Sequence, residues 1–200
     1  MASVEIHEHA AGLSWVERGG PFARASHALA ADGRVWLVDP VDEPEALARA
    51  SALGDLAGVL QLLDRHRRDG KAIAERLGIP LSSLPLALPG APFEVLPVVD
   101  VPKWREVALW WPAKRVLVVP EAVGTAPLFA VGEVAAGVHP ALRLFGVRRL
   151  REFEPELLLV GHGPPVAGDD ASRALREALA RSRSDAPRLL TKLPGLLRSA

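Results

Sequence analysis

The sequence predicts an α/β sandwich built as one domain, on three observations. Strand and helix patterns are mixed along the chain, with hairpins early and crossings late. Two short apolar runs, 59–63 and 157–160, read as strands buried on both faces. The 200 residues, 49% hydrophobic and 24% charged, are enough for one core without staples.

The elements follow in order. Val4–His9 alternates as an edge strand and ends near Ala11-Gly12. Residues 26–29 and 35–38 are strands around an Asp32-Gly33 turn, and Asp39-Pro40 stops the second. A short helix over 43–53 starts at Asp42 or Pro44. The 59–63 strand leads to a helix over 69–77, with Ile73 and Leu77 on one face and Gly78 as its stop. Residues 80–92, rich in Pro, Leu and Ser, are irregular. Strands follow at 93–99, 106–111 and 115–119, the second pointing Trp110 and Trp111 to opposite sides, one into the core. Residues 132–138 and 140–145 read as helical turns. After the 157–160 strand, Asp170 caps a helix through Arg183 with Ala174, Leu175, Ala178 and Leu179 on its apolar stripe. The single domain spans 1–200, with a core over 26–183 and a docking helix in the tail, 187–200.

Composition excludes several function classes. Lys+Arg and Asp+Glu balance at 24 each, for a net charge of +0, which argues against a nucleic-acid binder. The absence of cysteine removes disulfides, thiolate metal sites and cysteine nucleophiles. The first residues carry Glu5, His7, Glu8 and His9 with no apolar signal core, and no apolar run reaches membrane length. A cytoplasmic protein without a membrane partner is expected. Ser14, Ser26 and Ser51 lack a nucleophile-elbow context, and there is no Gly-rich phosphate loop.

Two segments carry candidate chemistry. In Leu158-Leu159-Val160-Gly161-His162-Gly163-Pro164-Pro165 a buried strand delivers His162 onto a glycine-flanked turn, where it serves as metal ligand, acid/base or simple turn cap. In Asp64-Arg65-His66-Arg67-Arg68-Asp69 a strand-to-helix turn holds three arginines suited to an anion, or stands as a solvated charged turn.

In their order along the chain these features resemble the metallo-β-lactamase superfamily: a hairpin ending in Val35-Trp36-Leu37-Val38-Asp39-Pro40, then a helix, an apolar strand into the charged turn, paired strands, and a strand ending in Gly-His-Gly-Pro-Pro. The resemblance covers 26–183. It implies a four-layer αββα sandwich with a dinuclear metal site at one edge of the sheets. The family's His-x-His-x-Asp-His motif falls on Arg65, His66, Arg67, Arg68, Asp69 and Gly70, so only Asp69 stays in register and His66 sits at a spacer. A one-residue slip rescues His66 only by displacing Asp69. The family's bridging aspartate matches Glu121 and its last histidine matches His162. Arginine keeps its charge in proteins, so Arg65 and Arg67 bring positive charge where a dication belongs.

The expectation is a member with a degenerate metal site and no two-metal zinc hydrolysis, acting as a binding or structural protein. The alternative is a hydrolase of a small ester, thioester or phosphoester that uses one metal or none. Asp69 and His162 are then the catalytic candidates, and His162, Asp69 and Glu121 the metal candidates. Arg65 and Arg67 are the anion-binding pair. No cofactor is expected beyond zinc or another divalent metal at a single site. A small anionic ligand and a homodimer are the expected partners.

Overall fold

The computed structural model describes residues 4–20, 22–66, 68–132 and 134–185. The chain starts with β1 (Val4–His9), β2 (Gly12–Glu17), β3 (Ala25–Ala31) and β4 (Arg34–Val38), an antiparallel meander. Helix α1 (Pro44–Ser51) crosses to β5 (Asp55–Gln61), and α2 (Gly70–Leu77) crosses to β6 (Leu81–Ser83). Both crossings are parallel, which completes a six-stranded sheet in the order β1-β2-β3-β4-β5-β6.

The second sheet begins with the hairpin of β7 (Glu94–Val101) and β8 (Trp104–Trp111), followed by β9 (Val116–Val119). A two-stranded ribbon, β10 (Val123–Gly124) and β11 (Gly137–Val138), interrupts it. Then β12 (Leu157–Val160) pairs parallel to β9 and antiparallel to β13 (Val166–Ala167), and α3 (Asp169–Arg181) closes the described fold. The sheet order is β13-β12-β9-β8-β7.

Strand alternation distributes the core over three interfaces. Trp36 and Val38, Val116 and Val118, and Leu157 and Leu159 meet between the sheets. Val35 and Leu37 face the other way, under Leu47 and Ile73 of α1 and α2. Leu117, Val119, Leu158 and Val160 lie under Ala174, Leu175 and Ala178 of α3. The result is the expected αββα layering. Trp111 is buried between the sheets, and Trp110 packs on Phe153 from the opposite face.

Several expectations shift. Strand β2 is missing from the sequence reading, because Leu13 to Val16 are all buried and do not alternate. Residues 132–138 are not a helical turn: they end in β11. Residues 140–145 contain a 3-10 turn only over Pro140–Leu142. The strand expected over 59–63 starts earlier, at Asp55, and stops at Gln61. Gly168 rather than Asp170 is the N-cap of α3, with Asp169 and Asp170 in its first turn, where their charge suits the helix dipole. The tail at 187–200 lies outside the described residues. Among those described, no helix is long and apolar enough to cross a membrane.

Candidate metal centre

Four strands, β4 and β5 of one sheet and β9 and β12 of the other, point their carboxyl ends at one edge, where open α/β folds gather their sites. The residues just past them are Asp39, His66, Glu121 and His162. One oxygen of Glu121 is shared: His66 Nε2 lies 2.8 Å from Oε2 and His162 Nε2 lies 3.1 Å from it. The ligand atoms of His66, Glu121 and His162 all fall within 4.8 Å of one another, and all three residues are at most 9% exposed.

The far side of each ring fixes its proton. His162 Nδ1 donates to the Phe22 carbonyl at 2.9 Å, because a carbonyl only accepts. His66 Nδ1 faces the Asp39 carboxylate at 3.1 Å. Each neutral ring therefore turns an Nε2 lone pair toward Glu121, the tautomer of a metal-bound histidine with an outer partner. Otherwise each Nε2 needs a proton to meet the carboxylate. The cluster thus calls for one dication or for protons.

The electrostatics agree. Burial pushes the Glu121 carboxyl up, but hydrogen bonds from His139, His162 and His66 outweigh it and hold the group well below the ordinary carboxylate range. Burial and the Arg68 charge pull His66 down, yet its bonds to Asp39 and Glu121 leave its pKa raised. Around a tetrahedral ion with bonds near 2.0–2.1 Å, ligand atoms sit about 3.3 Å apart. Two of the three pairs, at 2.8 and 3.1 Å, are near that spacing, and all three atoms lie within 4.8 Å of one another.

Further residues surround the triad. His139 Nδ1 accepts the Ala141 N–H, so its Nε2–H donates to Glu121 Oε1 at 3.2 Å. Buried Glu106 accepts the backbone N–H groups of Glu121 and Ala122 at 3.1 and 2.8 Å, and the Trp104 indole N–H at 3.0 Å. Burial lifts its pKa to about 7 against those bonds. The Arg68 guanidinium donates to the carbonyls of Ala25, Asp39 and Gly161.

Of the sequence candidates, Glu121 and His162 meet here. Asp69 does not: it is exposed and its carboxylate accepts the Asp42 N–H at 2.8 Å. His66, which the expected motif put at a spacer, stands beside Glu121 and His162 instead. Arg68 takes a positive φ of 34°, and Asp69 beyond it faces solvent. Arg65 is half exposed, stacked 4.2 Å over the Trp104 ring, with Asp64 at 3.9 Å. Arg67 lies outside the described residues. Sequence reasoning missed His139 and Glu106. Glu106 did leave a signal, a carboxylate two residues from Ala108 on a strand face that is otherwise apolar; nothing comparable marked His139.

No family model matches the chain, and no curated protein matches it. Solved structures do. DIM-1 metallo-β-lactamase superposes with a TM-score of 0.62 at 12% identity, over 90% of this chain and 98% of that one. A putative diflavin flavoprotein A 5 fragment from Nostoc sp. PCC 7120 gives 0.66 at 17%, over 96% and 99%. TTHA1623 in a di-iron-bound form gives 0.55 at 19%, over 78% and 95%. At these identities the likeness establishes the fold.

Proposed function

We propose that this chain, which has the metallo-β-lactamase fold, carries a one-metal site on His66, Glu121 and His162 and hydrolyses a small ester, thioester or phosphoester. The observation that carries this reading is the convergence of two Nε2 atoms and one carboxylate oxygen, with both Nδ1 positions already engaged. Three protein ligands leave a fourth position open, the pattern of catalytic rather than structural sites. A divalent ion held there supplies Lewis-acid polarisation of a substrate carbonyl or phosphoryl oxygen. The chain's own residues bind and orient: Asp39 and the Phe22 carbonyl aim the two imidazoles, and the Phe129 ring lies 5.3 Å from that of His162 in a stacked arrangement.

A second reading, a binding or structural protein whose site holds protons, has its own support. All three ligands are buried, and 2.8 and 3.1 Å are hydrogen-bond lengths. In that case protons on the two Nε2 atoms that face Glu121 stand in for the charge of an ion.

Elemental analysis of protein purified without chelator and soaked in zinc, manganese or iron separates the two, combined with chromogenic ester and phosphodiester assays. The one-metal hydrolase should hold close to one equivalent and turn over substrate, and His162→Ala should lose both. Metal far below one equivalent sinks the metal reading. Bound metal without turnover leaves the site and removes the hydrolase.

A further inference from the structure

Glu121 has two oxygens, and only one faces the two ligand histidines. The other, Oε1, is taken by the His139 Nε2–H at 3.2 Å, a donor whose direction is set by the Ala141 N–H on the far side of the ring. The turn that carries Glu121 is fixed separately, since the backbone N–H groups of residues 121 and 122 both end on Glu106 Oε1. Glu106 Oε2 is held by the Trp104 indole, and the Trp104 ring meets His139 edge-on, centroids 4.8 Å apart. These contacts close a ring: Glu121, Glu106, Trp104, His139 and back to Glu121.

We propose that His139 and Glu106 are positioning residues that keep Glu121 a one-oxygen ligand, with His139 occupying the oxygen that would otherwise make the carboxylate bidentate. This inference rests on the one-metal reading above. Its consequence is coordination number. A carboxylate that closes on the ion with both oxygens fills a position the site would otherwise offer to substrate. Partners of this outer kind usually change metal affinity by about 10–100-fold when removed. The described ring contacts of His139 are with Trp104 and Phe129, and the site atoms that converge on one point do not include it.

The test is cobalt(II) titration of the full chain, followed by visible absorption, which is much stronger for four-coordinate than for six-coordinate cobalt. Wild type should bind one ion with a strong visible band. His139→Leu should bind roughly 10-fold or more weakly, with a weaker band. His139→Gln, whose amide N–H can reach Oε1, should recover most of both. If His139→Leu does not fold, nitrogen-15 histidine spectra of zinc-loaded wild type decide: His66 and His162 should carry no Nε2 proton, while His139 keeps its own. A His139 that loses its proton to become a ligand overturns the proposal, as does an unchanged cobalt band in His139→Leu. Wild type that binds no cobalt fails the one-metal reading itself, a result distinct from both.

Discussion

Glu106 is a carboxyl group 1% exposed that accepts three N–H donors and faces no cation in any hydrogen bond or ion pair described. Its burial outweighs those bonds, so the folded chain prefers it protonated, with a pKa of about 7 against an ordinary 4.5. The stability it contributes is complete below 4.5 and is lost as pH rises to about 7. Glu106→Gln stays neutral throughout. Urea denaturation of both proteins should therefore show wild type losing ground on the variant by roughly 1.4 kcal/mol per pH unit across that window. A pH-independent difference would refute the assignment. At this scale the sequence was partly legible. His162 announced itself through its two flanking glycines and Glu121 through its place after an apolar strand. His66 was visible at a spacer position of the expected motif, and the fold brings it, not Asp69, beside Glu121 and His162. Which side chain of that turn points inward depends on Arg68, whose three carbonyl partners come from distant segments. No local pattern encodes that.

Strand β12 presents His162 because its last turn fits tightly against β9. A Cβ on Gly161 would stand 2.0 Å from the Pro120 carbonyl oxygen and 3.0 Å from His66 Cε1. The same strand end is braced from the first sheet, where His27 Nε2 donates to the Val160 carbonyl at 3.1 Å and Ser14 backs His27 at 2.7 Å. Gly161→Ala should thus push β12 from β9 and cost about 2–3 kcal/mol or more in chemical denaturation. Gly78→Ala makes a control: its φ of 65° is unfavourable for alanine, but open space surrounds it, so about 1–2 kcal/mol is expected. Equal losses would mean that the close approach at Gly161 is relaxed without consequence. Elements with a strong pattern were the ones the sequence revealed: β9 and β12 are unbroken apolar runs buried along their length, and α3 repeats its stripe. β10, β11 and β13 have two residues each, too few to show a period.

At the scale of the molecule, the two sheets share more than an apolar interface. Arg68 binds carbonyls of Ala25 in β3, of Asp39 past β4 and of Gly161 past β12, so one guanidinium ties both sheets at the edge that holds the site. The layered fold was legible without it, because inward and outward residues alternate on strand after strand and the helices supply matching stripes. The tie was not, since it needs the fold before its partners meet. The same charge opposes positive charge at the centre, because it pulls against the raised pKa of His66. Arg68→Met should therefore act in two directions. Leaving three carbonyls without their donor should lower unfolding stability by about 2–4 kcal/mol. Removing the guanidinium repulsion should at the same time tighten cobalt(II) binding in the protein that remains folded. Denaturation and cobalt titration of one variant measure both. Unchanged stability would show that the sheets are joined without this arginine. A weaker affinity would show that its charge, by fixing the strand ends, helps the ion more than it repels it.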